Sequence, residues 1–201
     1  MNVEVSIGEA VDKYSILEIK LKRILEKEKQ IEINKELLAL NQCKSYILQH
    51  SSYYKLLVYV NEQIWDMTNI IKSIQPDHPD FSSIANNIFE FNQKRFRLKN
   101  KFNLLSSSNI KEQKSYSSNT CKLLIDSIET IYNKIAEINF LLLEYDCIFV
   151  EQSFYDIMKS IFSNIQLSVN NEMKIIILND IVIDPYLITL FDFDPIRYIC
   201  S

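Results

Sequence analysis

The chain has 201 residues, 47% of them hydrophobic, and its 22 basic and 26 acidic side chains give a net charge of −4. One glycine and four prolines argue against turn-rich β-sandwiches and barrels, and against a glycine-rich loop that binds phosphate. The acidic balance and the lack of a dense basic stripe in the sequence disfavour nucleic-acid binding.

Four amphipathic helices are predicted in the first 105 residues. Ser6 is expected to cap the first one, with Glu9 as the second half of a capping box, and this helix should continue to about residue 29. The next two are predicted over residues 31–49 and 53–75, and two prolines then force a turn. The fourth spans residues 81–105. The short links between these helices predict an antiparallel helical bundle, coiled-coil-like in its packing, or paired helical hairpins.

A mixed appendage is predicted after a polar, serine-rich segment over residues 106–119. Residues 120–145 are expected to form one long helix, because large apolar residues recur there every three or four positions. A shorter helix is predicted over residues 154–162. The candidate strands of a small α/β appendage with two to four strands are a buried run over residues 174–178 and further runs over residues 147–150, 181–183 and 187–191.

The two parts of the chain differ in charge. Residues 1–120 hold 17 basic and 14 acidic side chains, whereas residues 121–201 hold 5 and 12. We therefore predict a helical body over residues 1–119 and an acidic appendage over residues 120–201. The four cysteines form no CxxC pair, which argues against a zinc site, and no metal or cofactor is predicted. No apolar leader or membrane span is visible, and we expect a cytoplasmic protein with reduced thiols.

One position of the fourth predicted helix breaks its apolar stripe. The helical spacing places Arg95 between Phe91 and Leu98, where a core residue is expected. A buried guanidinium is costly unless a carboxylate pairs with it, so Arg95 is either half of a structural ion pair or an anion-binding residue. The candidate partners are carboxylates on the other predicted helices, with Asp12 and Asp66 favoured over Glu9 and Glu18.

Three further patterns have both a structural and a functional interpretation. Basic and aromatic residues alternate over residues 91–102, but the aromatic spacing is that of a helix core, which favours a solvated basic face over a nucleic-acid site. Trp65 beside Asp66 could stack on a sugar, although core packing is more typical. Asp192 and Asp194 form an Asp-x-Asp pattern of the kind that holds a metal in glycosyltransferases. No nucleotide-binding array of strands and helices is predicted before them, which weakens that interpretation.

Four segments resemble, in the same order, an uncharacterised helical protein family of bacteria and large DNA viruses. They read SIGEAVDKYSILEIK over residues 6–20, NEQIWD over 61–66, FNQKRFRLK over 91–99 and KEQKSY over 111–116. The resemblance covers about the first 120 residues. It implies a helical fold and proximity to sugar-nucleotide and surface-glycan genes, and it carries no known activity.

The polar residues of these segments are the candidate ligand-binding residues, because sites between helices are built from side chains on facing helices. We expect several of them to converge along one groove or at one end of the helical body. The set is Glu9, Asp12, Lys13, Asn61, Trp65, Asp66, Asn92, Arg95, Lys111, Lys114 and Tyr116.

Three functions are compatible with these features. The favoured one is a non-catalytic binding or scaffold protein of a sugar-nucleotide or surface-glycan pathway, with a pathway protein or a sugar phosphate as partner and with a homodimer as an option. The alternative is an enzyme that holds a phosphorylated or carboxylated metabolite through Arg95 and Lys114, with Asp12 or Glu9 as acid or base. The third is a metal-dependent, glycosyltransferase-like activity at the Asp-x-Asp pattern.

Overall fold

A computed structural model describes residues 4–110, 119–168 and 173–190, and the chain divides into two compact units, residues 1–113 and 114–201. The protein is mainly helical, with a small parallel sheet in the second unit. Among the helices of the described ranges, none combines the length and the apolar character that crossing a membrane requires.

The helices of the first unit differ from the predicted ones in two places. The first helix ends at Arg23 rather than near residue 29, because Ile24 is extended, and the Ile24 carbonyl accepts a hydrogen bond from the Gln30 side chain. The helix predicted over residues 31–49 is interrupted by a turn at residues 40–42. The described helices of this unit are α1 (Ile7–Arg23), α2 (Lys27–Ala39), α3 (Cys43–Gln49), α4 (Ser51–Ser73) and α5 (Phe81–Leu105).

Ser6 caps α1 as predicted, and its Oγ accepts a hydrogen bond from the backbone N–H of Glu9 at 3.2 Å. The carboxylate of Glu9 contacts Lys99 on α5, so the expected capping box is only half formed in the described structure. Ser6 therefore starts α1, and Glu9 joins α1 to α5.

The core of the first unit lies where α1, α4 and α5 pack together. Leu57, Leu98 and Phe102 are fully buried there, together with Leu17. Of the predicted apolar stripe of α5, only Leu98 and Phe102 are fully buried, because the residues of its first half are half-buried and Leu105 is exposed. Phe89, which lies outside the stripe, is 70% exposed. The first half of α5 thus carries more apolar surface than a fully packed helix would.

The second unit contains a four-stranded sheet whose described strands are all parallel, in the order β3-β2-β1-β4. One face packs on a helical core, since Cys121, Leu123, Ile148 and Val150 alternate with less buried residues along β1 and β2. The described elements are β1 (Thr120–Leu124), α6 (Ile128–Asn133), α7 (Ile135–Glu144), β2 (Cys147–Val150), α8 (Gln152–Ile161), β3 (Ile165–Leu167), β4 (Lys174–Ile177), a 3₁₀ turn (Leu178–Asp180) and α9 (Pro185–Leu190).

The long helix predicted over residues 120–145 is wrong. Its first five residues are β1, and the remainder is α6 and α7. Ser127 starts α6, because its Oγ accepts a hydrogen bond from the backbone N–H of Thr130 at 3.1 Å. A spacing of three and four between apolar residues continued by coincidence across the strand and the two helices, and periodicity alone could not separate them.

The predicted strands of the appendage are partly confirmed. β2 and β4 coincide with the predicted runs at residues 147–150 and 174–178, but β4 is not buried, since Ile175 is 58% exposed. Residues 181–183 form no strand, and most of the run at 187–191 belongs to α9 instead. The described strands number four, within the predicted range of two to four, and with their connecting helices they form a parallel array.

Candidate functional site

Charged and amide side chains from three helices meet in the first unit. Glu9 and Asp12 come from α1, Asn61 comes from α4, and Arg95 and Lys99 come from α5. These five residues are called the polar cluster below. Hydrogen bonds or ion pairs join its members, and three of them are almost fully buried. Two carboxylates and two cations make the cluster neutral in formal charge.

Asp12 is the most central member of the polar cluster. It is 5% exposed, and its Oδ1 accepts a hydrogen bond from Asn61 Nδ2 at 2.9 Å. The same Asn61 Nδ2 donates to Ser15 Oγ at 2.8 Å, and Ser15 Oγ donates to the Asp12 backbone carbonyl. Burial raises the pKa of the Asp12 carboxyl, and the Asn61 hydrogen bond and the charges of Arg95 and Lys99 oppose that rise.

Arg95 has the carboxylate partner that its position in the stripe required. Its Nε lies 3.9 Å from Asp12 Oδ2, and 29% of its side chain is exposed. Within the described residues, the terminal Nη nitrogens of Arg95 make no hydrogen bond. Arg95 is therefore oriented by a buried carboxylate while part of its planar donor fork remains accessible.

Lys99 and Glu9 complete the polar cluster one helical turn further along α5. Lys99 Nζ lies 2.5 Å from Glu9 Oε1, and the side chain of Lys99 is 8% exposed whereas that of Glu9 is 42% exposed. Sequence reasoning missed Lys99. Its spacing of four residues from Arg95 puts both cations on one face of a helix, and this signal could have identified it.

The only glycine of the chain holds α1 against α5. Gly8 N–H donates to Asn103 Oδ1 at 2.7 Å, and a Cβ at position 8 would overlap the carbonyl oxygen of Lys99 and lie 2.8 Å from Asn103 Oδ1. Asn103 itself is 1% exposed. The absence of a side chain thus allows the close approach that brings Glu9 and Asp12 to α5.

Other predicted site residues have partners outside the polar cluster. Asp66 forms an ion pair with Arg23, with Nη2 and Oδ2 3.2 Å apart, so the second carboxylate proposed for Arg95 is already engaged. Lys13 pairs with Glu36 at 2.7 Å.

The other predicted residues that the structure describes do not join the polar cluster either. Asn92 Nδ2 donates to the backbone carbonyl of Ile88, and Glu18 accepts a hydrogen bond from Tyr54. Trp65 is half-buried. Lys111, Lys114 and Tyr116 lie outside the described residues.

A second group of polar side chains lies where the start of α4 faces the end of α5. Lys101 Nζ is 5.3 Å from the centroid of the Tyr53 ring, and the rings of His50 and Phe102 are 6.3 Å apart. Burial lowers the pKa of Lys101 to about 8. Burial and the charge of Lys101 lower the pKa of His50, whose buried Nε2 has no hydrogen-bond partner among the described residues.

Lys101→Met is expected to stabilise the protein at pH 7 by about 1 kcal/mol, because it removes a charge from a poorly solvated position. Between about pH 8 and pH 10.5 the unfolded chain keeps this proton while the folded chain releases it. The contribution of Lys101 to the free energy of unfolding of the unchanged protein therefore becomes less unfavourable as pH rises through this range. Urea unfolding at pH 7 and pH 10 measures the effect.

The control for this prediction is Lys55→Met, which removes one positive charge from an exposed position of α4. The stabilisation by Lys101→Met should be smaller at pH 10 than at pH 7. Equal stabilisation at both pH values, or stabilisation of the same size in the control, would contradict the assignment of a destabilising charge at Lys101.

No group of three or more histidine, cysteine, aspartate or glutamate side chains within the described ranges is placed to hold a metal ion. Asp192 and Asp194, the predicted metal-binding pattern, lie outside those ranges. The cysteines that the structure describes, Cys43, Cys121 and Cys147, are free thiols.

Comparison with known proteins gave one match. The model of a family of unknown function, DUF6165, matches residues 1–138. No curated protein and no solved structure matched the chain. The match includes the whole described part of the first unit and the beginning of the second.

Proposed function

Because the chain belongs to the DUF6165 family, whose function is unknown, we propose a function from the chain's own residues. The protein is a non-catalytic binding or scaffold protein of a sugar-nucleotide or surface-glycan pathway. It binds an anionic group, a phosphate or a carboxylate, of its partner at the polar cluster. The partner is a sugar phosphate or a protein of that pathway.

The observation that carries this proposal is the position of Arg95. A fully sealed structural ion pair would leave the guanidinium buried and saturated with acceptors, as buried charges require. Instead, one carboxylate oxygen lies 3.9 Å from Nε, and 29% of the side chain is exposed. A planar fork that is held from one side and open on the other suits bidentate binding of a phosphate or carboxylate.

The buried framework beneath Arg95 supports the same proposal. Asp12 is fixed by Asn61, and Asn61 is fixed by Ser15, so the acid that orients Arg95 has little freedom to move. A binding group that is ordered before its ligand arrives loses less conformational entropy on binding. The neutral formal charge of the polar cluster also means that an added anion meets no net negative charge at the cluster itself.

Apolar surface on α4 and α5 supports a macromolecular partner. Ile70 is 49% exposed, Phe89 is 70% exposed, and Trp65 is half-buried. Interfaces commonly combine aromatic and aliphatic anchors with an arginine.

We include in the proposal an antiparallel bundle arrangement of the helices, a cytoplasmic location and the homodimer option, all expected from the sequence.

A thermal-shift experiment on the full chain tests the proposal. A panel of sugar nucleotides and phosphorylated sugars should raise the melting temperature, since a ligand at 100 times its Kd stabilises the native state by about 2.7 kcal/mol. Arg95→Ala should abolish the shift while the variant keeps a cooperative unfolding transition. The matched control is Arg23→Ala, which removes a partly exposed arginine that also pairs with an aspartate, and it should keep the shift.

Three outcomes, in two groups, would contradict the proposal. One is a panel that gives no shift, or a shift that survives in Arg95→Ala. The other is an Arg95→Ala variant that fails to fold, because Arg95 would then be a structural ion-pair residue.

A second candidate function is an enzyme that acts on an anionic metabolite. The environment of Asp12 favours it, since burial raises the pKa of this carboxyl and perturbed carboxyls are typical of acid–base catalysis. Arg95 would then hold the metabolite and Asp12 would transfer the proton. Under this alternative, Asp12→Asn should abolish turnover of a bound ligand and retain its binding, whereas the binding function predicts no turnover in the unchanged protein.

A further inference from the structure

The sheet of the second unit changes its winding direction beside β1. The chain passes from β1 through α6 and α7 to β2 on one side, while β4 lies on the other side of β1. All described strand pairs are parallel, so the carboxyl ends of β2, β1 and β4 lie next to one another. In open parallel sheets, ligands bind outside the carboxyl ends of the strands at such a switch point.

Polar residues follow each of these three strands. Glu151 comes directly after β2, Asp126 lies two residues after β1, and Asn179 lies two residues after β4. Together they are called the switch-point edge below. Asn179 Nδ2 donates to Asp126 Oδ2 at 2.7 Å, which joins the segments after β1 and β4 across the switch point. Glu151 Oε1 lies 3.3 Å from Lys122 Nζ, and 54% of the Glu151 side chain is exposed.

The chemistry of the switch-point edge selects against a phosphate ligand. Two of its three side chains are carboxylates and Lys122 is the one cation paired with them in the described structure, while residues 121–201 hold 5 basic and 12 acidic side chains. A pyrophosphate site after the first strand also requires glycines, and the single glycine of this chain is Gly8. Carboxylates accept hydrogen bonds, so a suitable ligand supplies hydroxyl donors and carries no net charge at this place.

We propose that the switch-point edge binds the vicinal hydroxyls of a ribose or another sugar ring, with Glu151 as the main acceptor. A carboxylate directly after the second strand of a parallel sheet is the position from which an acid accepts hydrogen bonds from ribose hydroxyls in dinucleotide-binding sheets. Neighbouring strands are about 4.8 Å apart, so the three strand ends from β2 to β4 span roughly 10 Å, which matches the length of a nucleoside.

Asp126 and Asn179, which are hydrogen-bonded to each other, give the site acceptors and a donor in addition to Glu151. The pKa of the Asp126 carboxyl is held below its usual value by hydrogen bonds from Thr130 and Asn179 and from backbone N–H groups. Asp126 is therefore an ionised acceptor at neutral pH, and the exposed Asn179 supplies a carbonyl oxygen and a second amide hydrogen. Hydroxyls or base edges of a nucleoside can bond to both.

The test uses the full chain and ligand-observed saturation-transfer NMR. Adenosine and uridine are the nucleoside probes, their 2′-deoxy forms lack one of the two hydroxyls, and methyl glucoside represents a free sugar. We expect binding of the ribonucleosides, about tenfold weaker binding of the deoxy forms, and a loss of about tenfold or more in Glu151→Gln. Asp156→Asn, at an exposed acid of α8, is the matched control and should bind normally.

The probes distinguish the two sources of a sugar ring. Binding of methyl glucoside that depends on Glu151 supports the site and assigns it to free sugars, while binding of ribonucleosides alone assigns it to nucleosides. Failure of all probes to bind, equal binding of ribose and deoxy forms, or unchanged binding in Glu151→Gln overturns the proposal. Arg95→Ala should leave this binding unchanged, so the outcome is separate from that of the proposed function.

Discussion

Gly8→Ala is expected to lower the free energy of unfolding by about 3 kcal/mol or more, because the new methyl group would overpack the contact between α1 and α5. The new Cβ would overlap the backbone carbonyl oxygen of Lys99, which cannot move away as the end of a flexible side chain could. It would also lie 2.8 Å from Asn103 Oδ1, the acceptor of the hydrogen bond that Gly8 N–H donates. Relief of the overlap requires α1 to move away from α5.

The sign of this effect separates packing from helix propensity. At a helical position without a neighbour, alanine in place of glycine would stabilise the protein by up to about 1 kcal/mol. Lys13→Ala, at an exposed position of the same helix, serves as the control and should change stability by less than about 0.5 kcal/mol. Chemical denaturation measures all three proteins, and a Gly8→Ala variant as stable as the unchanged protein would contradict the close contact of α1 and α5.

Asn61→Asp is expected to destabilise the protein by about 2–4 kcal/mol at pH 7. The asparagine Nδ2 donates to Asp12 Oδ1 at 2.9 Å and to Ser15 Oγ at 2.8 Å, and both residues of the Asp12–Asn61 pair are at least 95% buried. The substitution replaces a donor with a second carboxylate at hydrogen-bond distance from the first. Two buried carboxylates in contact cannot both be ionised without a large cost.

The destabilisation should depend on pH in a defined direction. A shared proton raises the pKa of the carboxyl pair in the folded state above the unfolded value, so the folded variant binds a proton more tightly than the unfolded variant. Stability relative to the unchanged protein should therefore recover as pH falls from 7 to 5. Denaturant unfolding of both proteins over this range measures the recovery.

Asn92→Asp is the matched control, because Asn92 is a less buried asparagine whose Nδ2 donates to a backbone carbonyl at 2.8 Å. Its loss of stability should be below about 1 kcal/mol. The account of Asp12 as a buried acceptor fails if Asn61→Asp is no less stable than Asn92→Asp at pH 7, or if its deficit is unchanged at pH 5.

Local patterns predicted the helix that carries Arg95 with its observed ends. The spacing of its apolar residues located Phe81–Leu105, and the polar residue in the stripe indicated a carboxylate partner. The choice between Asp12 and Asp66 could not be made from sequence, because both lie on helices that could face α5. The choice depended on Arg23, which lies at the end of α1 and pairs with Asp66, whereas Asp12 is the carboxylate that pairs with Arg95.

The remaining features depend on contacts between segments that are distant in sequence. Gly8 meets Lys99 and Asn103 across about 90 residues, and no helical period reports such an approach. β1 is a five-residue strand that exists because β2 and β4 flank it, and its own residues continue the apolar spacing of the following helices. Pairing partners therefore decided the secondary structure there, which limits prediction from local sequence.

Calorimetric titration of a phosphorylated sugar from the thermal-shift panel into the unchanged protein and into Arg95→Lys tests the central claim most directly. Lysine keeps the positive charge but lacks the planar fork that binds two oxygen atoms of one anion. We predict binding to the unchanged protein and a loss of about tenfold or more in affinity for Arg95→Lys. Equal affinity of the two proteins, or no measurable binding to either, would contradict an anion site at Arg95.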